Sequence, residues 1–443
     1  MATAGMILII FGILLIVLLQ GSPVASAMGF AAVAAILIFM EPRFLIQFGG
    51  IAFNQGTNMN MLIAPMFILM SEFLARGGIA EDLFTVLDIW TRKFRGGLAI
   101  ATTLACTIFA ALCGSSPATA ASMGRISIGE MIKRNYSESF AAGTVAAGGT
   151  LGIMIPPSIT FVVFGILTET SIVKLFMAGL LPGILLAALI CISIIIRVRL
   201  NPALAGEGQK QTATAVTAPA ELPTPKTTVG GNVKAVTPAF ALIIIVLGAM
   251  YTGLATAMEA AGFGVIGAFI IISCQRRMSK ELILSSLEST TKTGSMIIML
   301  IISGCCVSYV VSYLGIASSI AEAIVASGLN RYVVMLLLYV LWLILGCLMD
   351  PSSMVILTIP FIYPALIAMG FDPLWIGVVS TLCVEIGMIT PPVGLNLFVL
   401  KANTDVSMSR LIKGTFPYVA VLIIGLAIIT VFPGITTFLP SRM

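Results

Sequence analysis

The sequence predicts an all-α polytopic membrane protein made of two inverted-topology repeats, each with a re-entrant helical hairpin and a broken helix. Three observations carry this. Of 443 residues 59% are hydrophobic and 9% charged, and the mean hydropathy of +1.12 lies well outside that of water-soluble domains. One span takes about 20 mostly apolar residues, so the chain can supply on the order of ten to twelve membrane-embedded segments. A set of Gly, Ser and Pro breaks occurs twice at a nearly constant offset. Basic residues, finally, concentrate in the loops that an inverted arrangement places on one face.

The composition also excludes chemistry. With no histidine the chain has no His acid–base pair, no His-ligated zinc site and no Ser-His-Asp triad. No G-x-x-x-x-G-K-[ST] loop is present, so it is not by itself an ATP-driven pump. An intramembrane hydrolase built on Ser and Asp350 would lack a base, and no enzymatic role is expected. The eight cysteines lie in apolar runs without a C-x-x-C pair and read as small buried hydrophobes. No basic residue precedes Arg43, which predicts an uncleaved first helix with its N-terminus outside.

Apolar runs at 5–19 and 23–40 give two spans, 42–58 is an amphipathic stretch, 59–75 is a third span and 76–96 a charged loop. Residues 97–113 run to the break Gly114-Ser115-Ser116-Pro117, and the chain reaches Arg125 only eleven residues after Gly114. Eleven helical residues rise about 16 Å, half of a bilayer core of about 30 Å, so this segment reads as a re-entrant hairpin. A helix over 139–167 is expected to be interrupted at Gly148-Gly149 and at Ile155-Pro156-Pro157. A span at 175–196 closes the half, and a polar linker follows over 201–236. The second half restarts with spans at 237–254 and 257–273, an amphipathic stretch at 276–292 and a span at 294–314. Its hairpin breaks at Met349-Asp350-Pro351-Ser352-Ser353, and its broken helix carries Gly387-Met388-Ile389-Thr390-Pro391-Pro392.

Gly152, Pro156, Pro157, Gly179 and Pro182 precede Gly387, Pro391, Pro392, Gly414 and Pro417, in that order, by one and the same offset along the chain. Apolar stretches resemble one another by chance, but matched Pro-Pro pairs with matched Gly and Pro beyond them do not. With the N-terminus outside, all of the 23 Lys and Arg residues except Arg43, Lys174, Arg331 and Arg442 fall on the inner side. That distribution makes the repeats inverted. It also accounts for the net charge of +5 without nucleic acid.

Inverted repeats with paired broken helices are a signature of secondary transporters. A helix broken at mid-depth exposes carbonyls at one end and N–H groups at the other, so ions can be held with few formal charges. Serine and threonine hydroxyls add neutral oxygen ligands suited to Na⁺. Ser115 and Ser116 are expected to face the break at 148–157, and Ser352 and Ser353 that at 385–394, as two related cation sites. Thr119, Thr150, Thr390 and Asn396 complete a polar pocket between them, and the substrate is expected there together with Ser115, Pro117 and Asp350. Asp350 reads equally as a cap before Pro351, Glu385 as a structural hydrogen-bond partner and Glu259 as a structural pair or an interface contact. Arg92-Lys93-Phe94-Arg95 and Arg276-Arg277 read as lipid-headgroup anchors.

Ala110-Ala111-Leu112-Cys113-Gly114-Ser115-Ser116-Pro117-Ala118-Thr119-Ala120, Gly152-Ile153-Met154-Ile155-Pro156-Pro157-Ser158, Leu175-Phe176-Met177-Ala178-Gly179 and Ile389-Thr390-Pro391-Pro392-Val393-Gly394-Leu395-Asn396 resemble the large membrane subunit of TRAP (tripartite ATP-independent periplasmic) transporters. The resemblance covers essentially the whole chain. It implies sodium-coupled import of a small organic anion by an elevator movement, the substrate being delivered by a periplasmic binding protein. It implies a small four-helix membrane subunit, expected here as a separate chain. The family pattern implies about two Na⁺ sites, one around Ser115, Ser116, Gly148, Gly152, Ile155 and Pro156, the other around Ser352, Gly387, Met388, Thr390 and Pro391.

Division into moving and fixed parts follows: scaffold spans and arm at 1–96 and 237–331, transport parts at 97–200 and 332–402, linker at 201–236 and last span at 403–443. The expected location is the bacterial inner membrane, with both termini periplasmic and the linker cytoplasmic. A C4-dicarboxylate is the favoured substrate, with sialic acid, other sugar acids and sulfonates behind it. The alternative is a binding-protein-independent sodium-coupled anion transporter or ion antiporter of the same architecture. One departure stands out, since the family's usual Thr-Pro-Thr-Glu-Ala-Ala-Ala reads Thr256-Ala257-Met258-Glu259-Ala260-Ala261-Gly262.

Overall fold

A computed structural model describes residues 3–206, 229–326 and 328–442, which are helical with no β-strand among them. The first half runs α1 (Thr3–Leu19), α2 (Val24–Phe39), α3 (Ile46–Gly56), α4 (Ile63–Arg76), α5 (Ile79–Thr91), α6 (Gly97–Cys113), α7 (Ser116–Met123), α8 (Gly129–Lys133), α9 (Glu138–Met154), α10 (Ile159–Thr168) and α11 (Ile172–Leu200). The second runs α12 (Val229–Tyr251), α13 (Ala257–Cys274), α14 (Lys280–Tyr313), α15 (Ile316–Ala326), α16 (Arg331–Leu348), α17 (Pro351–Ala368), α18 (Pro373–Met388), α19 (Leu395–Asn403), α20 (Met408–Val431) and α21 (Gly434–Thr437). Among the described residues, eight helices are long and apolar enough to cross a bilayer. The chain is a multi-pass membrane protein.

Element boundaries repeat along the chain. Ser116 opens α7 and Pro351 opens α17, separated by the offset that relates the two Pro-Pro pairs; Glu138 and Pro373 open α9 and α18 at the same separation, and Thr168 and Asn403 close α10 and α19 likewise. The matching boundaries go with the matched breaks at the two tips and the two Pro-Pro pairs, while Pro182, Pro360, Pro364 and Pro417 are accommodated inside helices.

Large apolar side chains such as Leu8, Leu15, Ile244 and Ile245 point outward and small ones inward: Ala27, Ala31 and Ala35 of α2 and Ala141, Ala142, Ala146 and Ala147 of α9 are buried. In lipid an exposed leucine carries no penalty, so helix association depends on close approach of backbones. The α9–α20 crossing is the tightest expression of this. Gly143 and Gly414 face each other there, and a Cβ on either would run into the other helix's backbone carbonyls.

Several expectations are corrected. The charged loop at 76–96 contains α5, whose Ile79, Ala80, Leu83, Phe84 and Leu87 bury one face at helical spacing. Beyond the expected span at 294–314, Ile316–Ala326 form a further helix, α15. Helix α9 runs unbroken through Gly148-Gly149, because the two glycines admit Cys106 of α6 and Ala120 of α7 as neighbours. The amphipathic stretch 276–292 and the span 294–314 join in the single 34-residue helix α14, since no breaker separates them. The second half starts at Val229, inside the expected linker 201–236, whose Lys210 and Lys226 lie outside the described residues. Cys274 is exposed, although Cys106, Cys113, Cys306, Cys347 and Cys383 are buried as expected, and all eight thiols are free.

Buried Asp88 of α5 joins this helix to the foot of the first hairpin. Its carboxylate accepts from Arg134 Nη1 at 2.9 Å and Nη2 at 3.0 Å, and from Arg92 Nη2 at 3.0 Å. Asp88→Ala is expected to lose about 1–3 kcal/mol, discounted for the partly exposed guanidinium groups. A thermal midpoint in detergent equal to that of the wild type would refute this.

Candidate functional site

Helix α6 ends on Gly114, at φ +62°. Only glycine adopts this turn without strain, and a Cβ there would stand 2.5 Å from the Pro157 carbonyl oxygen. Gly152, in the last turn of α9, lies against the same tip: its Cβ would be 2.8 Å from the Ser115 carbonyl oxygen and 2.9 Å from Thr119 Oγ1. The turn joining α6 to α7 therefore sits on the break between α9 and α10. Ile155 is extended at that break, and Ser158 restarts the helix by accepting from the Phe161 N–H at 3.4 Å.

The second half builds a similar junction from different contacts. Helix α16 ends at Met349, and Asp350 caps α17 by accepting from the Ser353 N–H at 3.1 Å and from the Ser353 hydroxyl. Facing this tip is the break between α18 and α19. The Gly394 N–H donates to the Cys347 carbonyl at 3.0 Å, and Cys347 Sγ lies 3.7 Å from the Pro391 carbonyl oxygen. A Cβ on Gly387 would be 2.7 Å from the Leu343 carbonyl oxygen, so α18 and α16 touch through backbone. The Pro156–Pro157 and Pro391–Pro392 bonds, one in each break, are both cis.

Ser115, Gly152, Ile155 and Pro156 thus gather at the first junction, and Gly387, Met388, Thr390 and Pro391 at the second. Gly148 stands apart, against Cys106 two turns from the tip. Pro117 lies in the first turn of α7, and Ser352 is buried in that of α17. Hydroxyl protons here go to backbone carbonyls: Thr119 to Ser115 at 2.9 Å, Thr150 to Ala147 at 2.6 Å and Thr390 to Ile386 at 2.6 Å. A hydroxyl that donates its proton keeps oxygen lone pairs for a cation. The Leu151 carbonyl at the end of α9 accepts from the Ile155 N–H at 3.2 Å, and the Ile386 and Gly387 carbonyls at the end of α18 accept from the Ile389 and Thr390 N–H groups at 3.3 and 2.9 Å, so helix-end oxygens stand at both breaks.

Two features escaped the sequence. The hydroxyl of Ser116 turns away from its own break; it donates to Glu385 Oε2 at 2.8 Å and accepts from Asn396 Nδ2 at 2.7 Å, joining the two halves through fully buried side chains. A cavity of about 960 Å³ lies between the first hairpin and helices α4 and α14. Ser115 lines its wall near the tip, and Arg76, Arg125 and Arg277 line it as well. The only signal for it in the sequence was Arg125, placed eleven residues beyond Gly114. Glu259 resolves as a helix cap, its carboxylate accepting from the Thr256 N–H at 2.8 Å while Thr256 Oγ1 accepts from the Glu259 N–H at 3.2 Å.

Comparisons with known proteins bear on the chain as a whole. A family model described as "Tripartite ATP-independent periplasmic transporter, DctM component" matches residues 11–435. The C4-dicarboxylate TRAP transporter large permease protein of Pseudomonas aeruginosa is 34% identical over 94% of this chain and 94% of its own. That of Vibrio cholerae is 31% identical over 100% and 98%. An isethionate TRAP transporter permease of Oleidesulfovibrio alaskensis is 31% identical, covering 97% of this chain and 66% of its own. Among solved structures, the Alcanivorax borkumensis YdaH transporter has a similar fold, with a TM-score of 0.61 at 17% identity over 88% of each chain. A match over nearly the entire length, spanning both tips and both breaks, means that this chain belongs to the tripartite ATP-independent periplasmic transporter family, as its DctM component, the large permease subunit.

Proposed function

We propose that the chain carries a small organic anion into the cell with sodium, receiving it from a periplasmic binding protein. The observation that carries this reading is the meeting of each hairpin tip with a helix break, twice, in oxygen-rich and charge-poor surroundings. Sodium at both junctions would order the tips and complete an anion site between them, which ties the two fluxes together. The two halves are read as inverted repeats, with 97–200 and 332–402 sliding as transport parts against the scaffold. Both termini are placed outside an inner membrane. The cavity then lies toward the cytoplasmic side, where the Arg76, Arg125 and Arg277 of its lining stand among Glu72, Glu81 and Glu281.

A C4-dicarboxylate is the favoured cargo, supported by the two large permease relatives. The isethionate relative shows that substrates vary across similar chains, in keeping with selection by the binding protein. A small membrane subunit completes the assembly.

Reconstitution in liposomes, with and without the small subunit and a cognate binding protein, tests the reading under an imposed sodium gradient. Uptake is expected only with all components and the gradient. Transport without the binding protein would reject the tripartite mechanism, and transport indifferent to sodium would reject the coupling. Ser115→Ala and Thr390→Ala should each raise the sodium concentration for half-maximal uptake by roughly three- to tenfold, one lost neutral ligand being worth about 1 kcal/mol. An unchanged sodium response in both would remove these residues from the sites.

A further inference from the structure

The Ser116–Glu385–Asn396 cluster does not belong to either tip junction. Its members come from three helices: Ser116 opens α7, Glu385 lies in the last turn of α18, and Asn396 in the first turn of α19. All three are fully buried. The repeat offset matches them with Pro351, Thr150 and Phe161 of the opposite half, and Thr150 bonds only within its own helix. The cluster therefore has no copy in the repeat, unlike the tips and the breaks.

Its hydrogen bonding is unfinished. Ser116 uses its hydroxyl proton on Glu385 Oε2 and a lone pair on Asn396 Nδ2. Glu385 Oε1 and Asn396 Oδ1, the other oxygens of the same two side chains, are buried and have no hydrogen-bond partner among the described residues. No lysine or arginine pairs with Glu385 among those residues. A carboxyl group in the interior of a membrane protein needs either a compensating cation or a proton of its own. A carboxylate oxygen, an amide oxygen and a hydroxyl oxygen together form a hard, all-oxygen donor set, which suits an alkali cation rather than a soft metal.

We propose that Glu385, Asn396 and Ser116 hold a sodium ion of their own, at the seam between the two halves. This rests on the sodium coupling proposed above and adds an ion to it. An ion here bridges the first hairpin to the second helix break, so the two tip junctions fill as one unit rather than independently. The competing role for Glu385 is a fixed anion at the N-terminus of α7, which holds the helix end without binding sodium.

Binding of radioactive sodium to the purified full chain in nanodiscs separates the two. The wild type is expected to bind saturably. Glu385→Gln and Asn396→Ala should each lose about one ion per chain relative to the wild type, while Glu385→Asp keeps the ion at weaker affinity. Folding of each variant is read from its monodisperse elution. Because the asparagine variant leaves the carboxylate in place, it reports on the site even if the glutamine variant does not fold. Full wild-type stoichiometry in the variants that fold would overturn the proposal and leave the coupling reading intact. Absence of saturable binding to the wild type would overturn both.

Discussion

Replacing Gly414 by leucine is expected to leave almost no folded protein. The α9–α20 contact is built on an i, i+4 face of α20. Arg410 pairs with Glu138, Gly414 meets Gly143, and the Tyr418 hydroxyl lies 2.7 Å from Thr144 Oγ1. Arg197 of α11 stacks 4.9 Å from the ring centres of both Phe140 and Tyr418 and extends the same contact. A side chain at 414 would strike the Ser139 carbonyl, which is backbone and cannot turn aside. Separating the helices by even a methyl group would break the polar pairs on either side, for a loss of about 3 kcal/mol or more. That is a large share of a stability of about 5–15 kcal/mol. Yield of monodisperse protein after detergent extraction measures it. Gly12→Leu is the control, because an added Cβ there meets nothing within 4 Å. Equal yields for the two variants would refute the packing argument.

Gly114→Val should abolish sodium-driven uptake while the protein still inserts and folds. Two penalties meet at this position. A positive φ costs a side-chain-bearing residue about 1–2 kcal/mol, and valine's Cβ would also press on the Pro157 carbonyl. The tip must lift from the break, and the Ser115 carbonyl would leave its place against Gly152. A displacement of about 1 Å at such a site is enough for a loss of about a hundredfold. Met349, the counterpart of Gly114 at the repeat offset, has a φ of −141°, which any residue adopts. Met349→Val is therefore expected to retain most of the activity. Similar uptake for the two variants would show that the first tip does not control sodium binding.

Much of the site was legible because its signals are local. Pro156-Pro157 and Pro391-Pro392 end helices by removing N–H groups and by steric clash, whatever surrounds them. Gly114 at a turn and Arg125 shortly after it likewise mark a hairpin too short to span the bilayer. The errors have local explanations too. Glu81, Asp82, Asp88 and Arg92 made 76–96 look like a loop, although Ile79, Leu83 and Leu87 kept a helical period beneath those charges. Gly148-Gly149 looked like a break because glycine weakens a helix, but inside a bundle it is what lets α6 and α7 come close.

Residue order by itself determined that the chain lives in a bilayer, where its two hairpin turns and two Pro-Pro breaks fall, and which family it belongs to. These follow from composition and from steric rules that act over a few residues. How closely Gly114 and Gly152 seat the first tip on its break, and that Gly148 stands apart from it, only the tertiary structure decided. The same holds for Ser116, which meets Glu385 and Asn396 across 269 and 280 residues of chain. Contacts at that separation depend on how all the intervening helices pack, and no local rule carries that information.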